Sequence, residues 1–303
     1  MSQDKVRVHI DGRDLTLTNL DKVLYPRVGF TKGEVIDYYS RVADVLLPHL
    51  RGRPLTRKRW PDGVDGPFFF EKNVPRGTPD WVRTVRLPVP GSTKDRETVD
   101  FVVVDDLPTL VWTANLAALE LHTPQWQVGP RGAVKDPDLL VIDLDPGPPA
   151  GLAECMHAAC LVRERLAADG LTAYPKTSGN KGMQLCVPVS ARQSSAVVSD
   201  YAHRVARELE AEHPDDMLSR MTKALRPGKV FLDWSQNNAA KTTVAPYSLR
   251  GREEPTASTP LTWAEVEAGK PLRFWPEDVL ARVAEHGDLL AGLLERGPRV
   301  PTG

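Results

Sequence analysis

Apolar residues recur along the chain with either helical or strand spacing, and these patterns predict its elements. In the first half, 31–50 has helical spacing and begins with a capping-box pattern at Thr31. The segment 54–60 alternates as strands do, and 100–105 is a short apolar strand. The segment 107–122 is predicted to be a largely buried helix.

From residue 139 the order is more regular. The predicted elements are a strand at 139–145, a helix at 150–170, a strand at 171–177, a turn at 178–182, a strand at 183–189, a helix at 194–213, a strand at 228–235 and a further strand at 242–250. The first six elements and the strand at 228–235 follow the β-α-β-β-α-β order of the ferredoxin-like fold. We therefore expect an α/β (α+β) protein with a ferredoxin/RRM-like mixed β-sheet core, helices packed on it and an N-terminal subdomain.

This topology has a geometric consequence for three distant segments. In the ferredoxin-like sheet the first strand lies between the third and the fourth and is antiparallel to both. The end of the first strand at Asp145 should then lie beside the loop 178–182 and beside the strand that carries Asp233. We expect these segments to meet at one edge of the sheet.

The acidic residues at that edge suggest a metal site. Asp143 and Asp145 alternate along a strand and so share a face, where their carboxylates repel each other unless a cation lies between them. With Asp233 they offer hard oxygen ligands that suit Mg²⁺ or Mn²⁺, and such a set can hold two divalent ions for phosphoryl or nucleotidyl transfer. The alternative is a solvent-facing strand end with turn-forming aspartates.

The segment TSGNKG (177–182) is the second chemical element. Backbone N–H groups of a glycine-containing turn can cradle a phosphate, with Ser178 and Lys181 adding a hydroxyl and a charge. The alternative is a simple hairpin turn. Lys241 and Arg250, together with Lys229, flank Asp233 along the chain, as a metal–triphosphate site requires, although a surface ion-pair network would look the same.

Charge is unevenly distributed along the chain, although the formal net charge is only −1. Residues 1–60 carry 12 Lys or Arg against seven Asp or Glu, and 217–252 carry seven against one. Residues 253–303 carry five against nine. Two basic segments and an acidic one favour a polyanion-binding face, and chance clustering of solvated charge is the alternative.

Three further features have two interpretations each. Lys58 and Arg59 lie on opposite faces of the predicted basic strand, which is an exposed strand or a binding surface. The run 68–70, three phenylalanines, either stacks on bases or belongs to the core. His122 is either a structural histidine or a substrate contact.

Several classes of protein are disfavoured. There is no apolar run of about 18 residues and no apolar segment at the N-terminus, so we expect neither a membrane span nor a signal peptide. Three cysteines, an odd number, favour reduced thiols over a disulfide framework. We expect a cytoplasmic protein without a membrane partner.

Eight motifs carry a resemblance to a known family. They are L-D-K-V-L-Y-P (20–26), R-K-R-W-P-x-G-V-D (57–65), F-F-E-K (69–72), A-L-E-L-H-T-P-Q-W (118–126), D-L-D-P-G (143–147), T-S-G-x-K-G (177–182), V-F-x-D-W-S-Q-N (230–237) and K-T-T-x-A-P-Y-S-L-R-G (241–251). In order and spacing they resemble the polymerase domain of bacterial DNA-repair ligase D, in the archaeo-eukaryotic primase superfamily. The resemblance extends to about residue 290.

The resemblance implies a template- and end-directed nucleotidyltransferase of non-homologous end joining. Such a domain adds ribo- or deoxyribonucleotides to 3′ ends at gaps and breaks, and uses two divalent cations, Mn²⁺ or Mg²⁺. Its partners are DNA ends or gaps with a 5′-phosphate and nucleoside triphosphates, with Ku and a DNA ligase as further partners. It works in the bacterial cytoplasm, on the nucleoid when bound to DNA.

Candidate site residues follow from the motifs and their neighbours. The metal-binding and catalytic set is Asp143, Asp145 and Asp233. The nucleotide-binding set is Lys58, His122, Ser178, Lys181, Gln184, Lys241 and Arg250. The DNA-binding set is Lys22 and Lys32 for the 5′-phosphate across a gap, Phe69 and Phe70 for stacking near the template, and Arg59.

Two departures from the family pattern are informative. The second motif usually ends in histidine, and here Gln184 stands in that place. Glutamine cannot carry an imidazolium charge, so we expect weaker triphosphate binding or altered nucleotide choice in an active enzyme. There is also no K-x-D-G sequence of the kind a ligase uses for its adenylated lysine. We expect sealing to be done elsewhere.

Two other functions use the same residues. A metal-dependent nuclease or phosphodiesterase needs the three carboxylates, and a non-catalytic DNA-end-binding module needs the basic segments. For the primase-polymerase we expect one catalytic domain over 1–296, with a DNA-end-binding subdomain at 1–125, a catalytic core with C-terminal helices at 126–296 and a flexible tail at 297–303.

Overall fold

The structure is a computed structural model that describes residues 5–89 and 97–302. The strands are β1 (Lys5–Ile10), β2 (Arg13–Thr18), β3 (Val23–Tyr25), β4 (Phe30–Thr31), β5 (Pro54–Arg59), β6 (Phe69–Glu71), β7 (Thr84–Pro88), β8 (Thr98–Val103), β9 (Ala118–Thr123), β10 (Leu139–Pro146), β11 (Tyr174–Thr177), β12 (Met183–Pro188), β13 (Met217–Leu218), β14 (Val230–Asp233) and β15 (Thr243–Val244). The helices are α1 (Lys32–Arg41), α2 (Ala43–Leu50), α3 (Leu107–Asn115), α4 (Leu152–Ala168), α5 (Ser195–Glu212), α6 (Trp263–Glu267) and α7 (Pro276–His286). Short 3₁₀ turns lie at Lys223–Leu225, Trp234–Asn237 and Ala291–Leu294.

The C-terminal sheet has the strand order β11-β12-β10-β14-β13. Strand β10 is antiparallel to both β12 and β14, which confirms the ferredoxin-like order expected from the sequence. One strand was not expected: β13 adds to the edge, parallel to β14. The order puts the C-terminal end of β10 beside the start of β12 and alongside β14. The three segments therefore meet at one edge of the sheet, as expected.

The two faces of β10 differ, and this difference exposes the acids. Leu140, Ile142 and Leu144 face the main core, where α4 and α5 pack against the sheet. Val141 lies on the other face and is covered by residues of the last 3₁₀ turn. Beyond Val141 the same face continues with Asp143 and Asp145, which are half-buried at the rim.

The N-terminal sheet has the order β15-β9-β5-β8-β7, with β6 paired to β5. Its central strand β5 is the basic strand predicted at 54–60. Strand β15 comes from the C-terminal half and pairs with β9, with Val244 opposite His122. The two halves of the chain therefore share this sheet, and the segment after residue 126 contributes one edge of it.

Three predicted elements are wrong in extent. The predicted helix 107–122 ends at Asn115, turns at Ala117 with a φ of 57° and continues as β9. A run of apolar residues fits a helix or a strand equally well, and pairing with β5 decides for the strand. The predicted helix 31–50 is divided at Val42 into α1 and α2. The strand predicted at 242–250 is limited to β15.

Several local predictions are confirmed. Thr31 and Glu34 form the capping box of α1, and Ser194 caps α5 by accepting a hydrogen bond from the backbone N–H of Val197. Within the expected flexible tail, Val300 is buried and its backbone forms two hydrogen bonds with Gln193, whereas Pro301 and Thr302 are exposed. Among the described residues, none of the helices has the length and apolar character to cross a bilayer.

Candidate active site

Three carboxylates converge at the edge of the C-terminal sheet. Asp143 is paired directly opposite Asp233 across the β10–β14 ladder, and Asp145 follows two residues later on the same face. One oxygen from each of the three residues lies within 4.8 Å of the others. The edge predicted from the topology therefore exists, and it brings together the three acids predicted to bind metal.

The electrostatics of this cluster favour the binding of a cation. Burial, the charge of Asp145 and the charge of Asp233 together raise the pKa of Asp143 to about 7. Burial and Asp233 also raise the pKa of Asp145, which the charge of Arg226 opposes only in part. Two carboxyl groups with raised pKa values, beside the third hard oxygen donor of Asp233, fit one or two Mg²⁺ or Mn²⁺ ions.

Asp233 is held by its own strand end. It accepts hydrogen bonds from the backbone N–H of Ser235 at 3.0 Å and from the side-chain amide of Gln236 at 2.6 Å. The Ser235 hydroxyl also contacts Asp233 and receives a hydrogen bond from the Nζ of Lys241. Lys241 thus reaches the site through Ser235.

Two of the cations predicted to flank Asp233 instead contact other groups. Lys229 donates to the backbone carbonyl of Pro214, and Arg250 pairs with another carboxylate. The reason is local geometry: Asp233 begins a 3₁₀ turn, whose N–H and amide donors are nearer to it than any long side chain.

Gln184 lies opposite Asp143 in the β10–β12 ladder and is buried. Its Oε1 accepts a hydrogen bond of 2.6 Å from the Nζ of Lys176. Lys176 is itself buried and also donates to the carbonyl of Val244 and to the hydroxyl of Ser258. Burial lowers the pKa of Lys176 to about 8. A lysine thus brings a positive charge to the place where the family histidine is missing.

The loop 178–182 lies directly over β10, and two glycines permit this approach. A Cβ on Gly182 would lie 2.1 Å from the carbonyl oxygen of Leu144. Gly179 has a φ of +70°, and a Cβ there would lie 2.7 Å from the backbone of Ala257. Substitution at either glycine would move the loop away from the carboxylates.

The candidate phosphate-binding residues of this loop are differently exposed. Ser178 is half-buried, and its carbonyl accepts a hydrogen bond of 2.9 Å from the Nη1 of Arg250. The Ser178 hydroxyl accepts from the backbone N–H of Asn180 at 3.3 Å. Lys181 is exposed to solvent at the tip. The loop therefore presents one exposed cation and one hydroxyl that is hydrogen-bonded within the loop.

A second buried carboxylate, Glu120, gathers the remaining nucleotide candidates. Its oxygens lie 2.8 Å from the Nε2 of His122, 3.4 Å from the Nε of Arg250 and 3.6 Å from the Nζ of Lys58. The backbone N–H of Gly251 donates to it at 3.1 Å. Burial would raise the pKa of Glu120, but these partners together lower it to about 2.

The phenylalanine run is exposed and lies beside these groups. Phe69 and Phe70 keep 41% and 53% of their surface, so the core interpretation is wrong and the rings are available for stacking. The Phe70 ring meets His122 edge-on, with centroids 6.1 Å apart. The Nζ of Lys58 lies 4.1 Å from the ring centroid of Phe68. The candidate stacking surface and the candidate nucleotide groups are thus in contact.

Three predicted DNA contacts have protein partners in this structure. Arg59 forms hydrogen bonds of 3.1 and 3.0 Å with Glu71. Lys22 pairs with Asp62 at 2.8 Å. Lys32 is buried and donates to the carbonyl of Thr18; burial, followed by the charge of Lys22, lowers its pKa to about 8. Lys22 and Lys32 are therefore neighbours, as a phosphate pocket requires.

A groove of about 770 Å³ runs beside the site, between β6 and the segment before β15. Its wall includes Phe69, Phe70 and Trp126, and its rim includes Lys72 and Lys241. Aromatic rings between cations suit nucleobases attached to phosphates. The groove therefore extends the candidate site from the Phe70 side towards Lys241.

Two site residues were missed from the sequence, Glu120 and Lys176. The signal for Glu120 was present in A-L-E-L-H, because residues two apart share a face on a strand. The helix predicted there separated Glu120 from His122. No sequence signal identified Lys176, since its partners come from β12, β15 and the segment around Ser258.

Comparison with known proteins points in one direction. Residues 31–290 match the family described as LigD, primase-polymerase domain. The chain is 45% identical over 288 residues to the multifunctional non-homologous end joining DNA repair protein LigD of Mycobacterium tuberculosis, which covers 92% of this chain and 37% of that protein. It is 34% identical over 282 residues to the bifunctional LigD of Bacillus subtilis, covering 90% of this chain and 43% of that one.

A solved structure has the same fold. It is the polymerase domain from Mycobacterium tuberculosis ligase D in complex with DNA, with a TM-score of 0.87 and 45% sequence identity. The match covers 92% of this chain and 98% of that one. The chain thus spans about the whole of that domain and 37% of the mycobacterial protein.

Proposed function

The chain belongs to the family of LigD primase-polymerase domains, and we propose that it adds nucleotides to the 3′ ends of DNA at gaps and breaks during non-homologous end joining. The observation that carries the proposal is that Asp143, Asp145 and Asp233 have carboxylate oxygens within 4.8 Å of one another. The candidate phosphate-binding loop 178–182, called below the phosphate-type loop, lies beside them. A convergence of acids alone would suit several enzymes. The adjoining group of cations favours a triphosphate substrate.

Asp143, Asp145 and Asp233 would hold the divalent cations, Mn²⁺ or Mg²⁺. Bound there, the cations would neutralise the acids, favour deprotonation of a primer 3′-hydroxyl and stabilise a pyrophosphate leaving group. The chain's own contribution is orientation: β10 and β14 fix two carboxylates opposite each other, and Ser235 and Gln236 fix the rotamer of Asp233.

The triphosphate would lie between the carboxylates and the cations of the N-terminal sheet. Lys58, Arg250 and Lys181 supply positive charge, and Ser178 supplies a hydroxyl. Because Lys58 and Arg250 have side chains only 13% and 12% exposed, their interactions are less screened than those of surface lysines. Lys241 would reach the same phosphates from the groove, and Gln184 would face them from β12.

The DNA end would lie on the exposed rings of Phe69 and Phe70. Stacking on an aromatic ring contributes about 1–3 kcal/mol per base and tolerates any sequence. Lys22 and Lys32 would bind the 5′-phosphate across a gap, which gives a preference for gapped ends without reading bases. In this arrangement Arg59 would add positive charge to the DNA-binding surface, and its hydrogen bonds with Glu71 would hold the guanidinium group in position.

The test is primer extension on a gapped duplex with a 5′-phosphate. With Mn²⁺ and a nucleoside triphosphate, we expect the primer to lengthen, and ribo- and deoxyribonucleotides are compared in parallel. The double variant Asp143→Ala, Asp145→Ala should bind the DNA and leave the primer unchanged. Omitting the 5′-phosphate should reduce extension by the wild type more than by a Lys22→Gln variant.

Two other outcomes would replace the proposal. Shortening of the primer in Mn²⁺ without nucleotides would make the protein a nuclease. DNA binding without any change in primer length, under every metal and nucleotide tested, would make it an end-binding module. Ku and a DNA ligase are proposed as partners, and co-purification with each of them on nicked DNA tests that part separately.

A further inference from the structure

Glu120 lies at the centre of the side chains that the proposed function assigns to the triphosphate. Its side chain is 1% exposed and projects from β9. Oε2 meets the Nε2 of His122 at 2.8 Å, while Oε1 lies near the Nζ of Lys58 at 3.6 Å and the Nε of Arg250 at 3.4 Å. Oε1 also accepts the backbone N–H of Gly251 at 3.1 Å.

A negative charge in this place opposes the binding of a triphosphate. Glu120 would repel the phosphates, and an uncharged residue would leave more net positive charge for them. Its two oxygens already accept hydrogen bonds from His122 and Gly251 and face the charges of Lys58 and Arg250, so the protein itself balances this carboxylate. The benefit of Glu120 must therefore come from the geometry that it gives to its partners.

That geometry connects three separate segments. Lys58 comes from β5, His122 from β9, and Arg250 from the segment after β15. Arg250 also donates through Nη1 to the carbonyl of Ser178, which connects Glu120 to the phosphate-type loop. A hub of this kind fixes the relative positions of cations that are far apart in the chain.

The contact with His122 also determines which ring nitrogen faces the site. An ionised carboxylate only accepts hydrogen bonds, so Nε2 must carry the proton that it donates to Glu120. Nδ1 is then the nitrogen that remains for a ligand. Without the carboxylate, the ring could take either tautomer.

We propose that Glu120 is a positioning residue that holds Lys58, His122 and Arg250 in the arrangement that receives the phosphates of a nucleoside triphosphate. It acts through these side chains and does not contact the nucleotide. This inference rests on the proposed function, because it assumes that a triphosphate binds there.

The test compares Glu120→Gln with the wild type. A glutamine has one donor group, which would face the donors of His122, Lys58 and Arg250, so the arrangement is lost. We expect the KM for ATP in primer extension on saturating gapped DNA to rise between about tenfold and about a hundredfold. The kcat should change less than about threefold, because the change affects binding of the nucleotide and not the carboxylates that hold metal.

The sign of the change separates this proposal from a simple charge effect. If Glu120 were only a negative charge, its neutralisation would lower the KM for ATP. A lower or unchanged KM would overturn the proposal. Direct titration of the protein with ATP in the absence of DNA should show the same loss of affinity as the KM.

The matched control is Asp288→Asn. Asp288 also contacts a buried histidine, His49, at 2.8 Å, but lies outside the proposed site. We expect this variant to lose stability and keep its KM for ATP. An equal rise of KM in both variants would mean general destabilisation and would also overturn the proposal.

Two provisions keep the outcome interpretable. If Glu120→Gln does not fold, Glu120→Asp replaces it in the test. Aspartate keeps the carboxylate charge, but its side chain is one methylene shorter and cannot hold the same partners in place. An unchanged KM for ATP in this variant would contradict the positioning role. If the wild type neither binds ATP nor extends a primer, the proposed function fails. If the wild type is active and the Glu120→Gln variant has the same KM for ATP, only the positioning role is overturned.

Discussion

The aspartate cluster on β10 and the buried Glu120 on β9 lie close together in this protein and have opposite electrostatics. At the edge of the C-terminal sheet, Asp143 and Asp145 have raised pKa values because burial and neighbouring carboxylates disfavour their charges. On β9, Glu120 has a pKa lowered to about 2, although it is more deeply buried. Both Asp143 and Arg250, the partner of Glu120, are near enough to shift the pKa of Lys176, so the two groups are neighbours.

The difference lies in the partners and not in the burial. Glu120 has four hydrogen-bond or charge partners from the chain itself, so its charge is balanced before any ligand arrives. On β10, the favourable neighbours Gln184, Lys176 and Arg226 do not offset burial and the neighbouring carboxylates, and the remaining unbalanced charge is what a divalent cation would neutralise. In the proposed roles, Glu120 therefore positions side chains of the protein, and the aspartates on β10 bind a metal.

The largest expected effect tests the acids as metal ligands. Asp145→Asn should lower the rate of primer extension at least about a thousandfold, because groups that act as a unit in catalysis fail together. Gapped-DNA affinity, measured by fluorescence anisotropy, should stay within about twofold of the wild type. Asp136→Asn, an exposed acid before the same strand, is the control and should be fully active.

Opposite changes in stability should separate the two groups without any substrate. In metal-free buffer, Glu120→Gln should lower the free energy of unfolding by about 3 kcal/mol, since it leaves buried cations without their partner. Asp143→Asn should raise it by about 1 kcal/mol, because one of the repelling charges is removed. Chemical denaturation measures both.

If both variants lose the same free energy of unfolding, the proposed difference between a balanced Glu120 and an unbalanced Asp143 is wrong. A metal-free preparation is essential to this comparison, because a bound cation would make Asp143→Asn destabilising as well.

The pH dependence of metal binding follows from Asp143. Its folded pKa of about 7 lies above the value of an unfolded aspartate, so in metal-free protein this group contributes stability at low pH that is lost as pH rises towards about 7. A divalent cation needs the deprotonated form, so its affinity should rise over the same interval. Mn²⁺ should raise the Tm more at about pH 8 than at about pH 6.

The control for this prediction is Asp143→Asn, in which the difference between the two pH values should become much smaller. A Tm increase by Mn²⁺ that is equal at both pH values in the wild type would contradict the assignment of the raised pKa to this carboxyl.

The smallest expected effect concerns Gln184. Replacing it with histidine should lower the KM for nucleotide, as the family pattern suggests, but only about twofold to about threefold. Lys176 already supplies a positive charge there, through its hydrogen bond of 2.6 Å to Gln184. No change in KM would contradict the role we assign to Gln184. If Lys176 supplies the charge that the histidine would otherwise provide, Gln184→His should lower the KM by a larger factor in a Lys176→Met variant.

Much of the site could be predicted before any coordinates. Alternating residues on a strand put Asp143 and Asp145 on one face, and the order of elements put Asp233 beside them. These inferences worked because they depend on local periodicity and on a small number of possible topologies. The capping box of α1 was predicted for the same reason, since its two residues are three apart in the chain.

Other features depended on contacts between distant segments, and there the sequence misled. The helix predicted over 107–122 hid the strand that carries Glu120 and His122, because a short apolar run has no period strong enough to decide. Pairing with β5 decided it. Likewise Arg250 lies near Asp233 in the chain, but in the fold it pairs with Glu120.

The sequence by itself determined the chemical inventory of this protein, the faces of its main strands and the family to which its motifs point. Only the tertiary structure decided which charges balance each other, because a buried ion pair needs two segments within about 4 Å and nothing in local spacing encodes that distance. For this reason the acids on β10 could be predicted as metal ligands, whereas the partners of the carboxylate on β9 could be identified only when three segments came together around it.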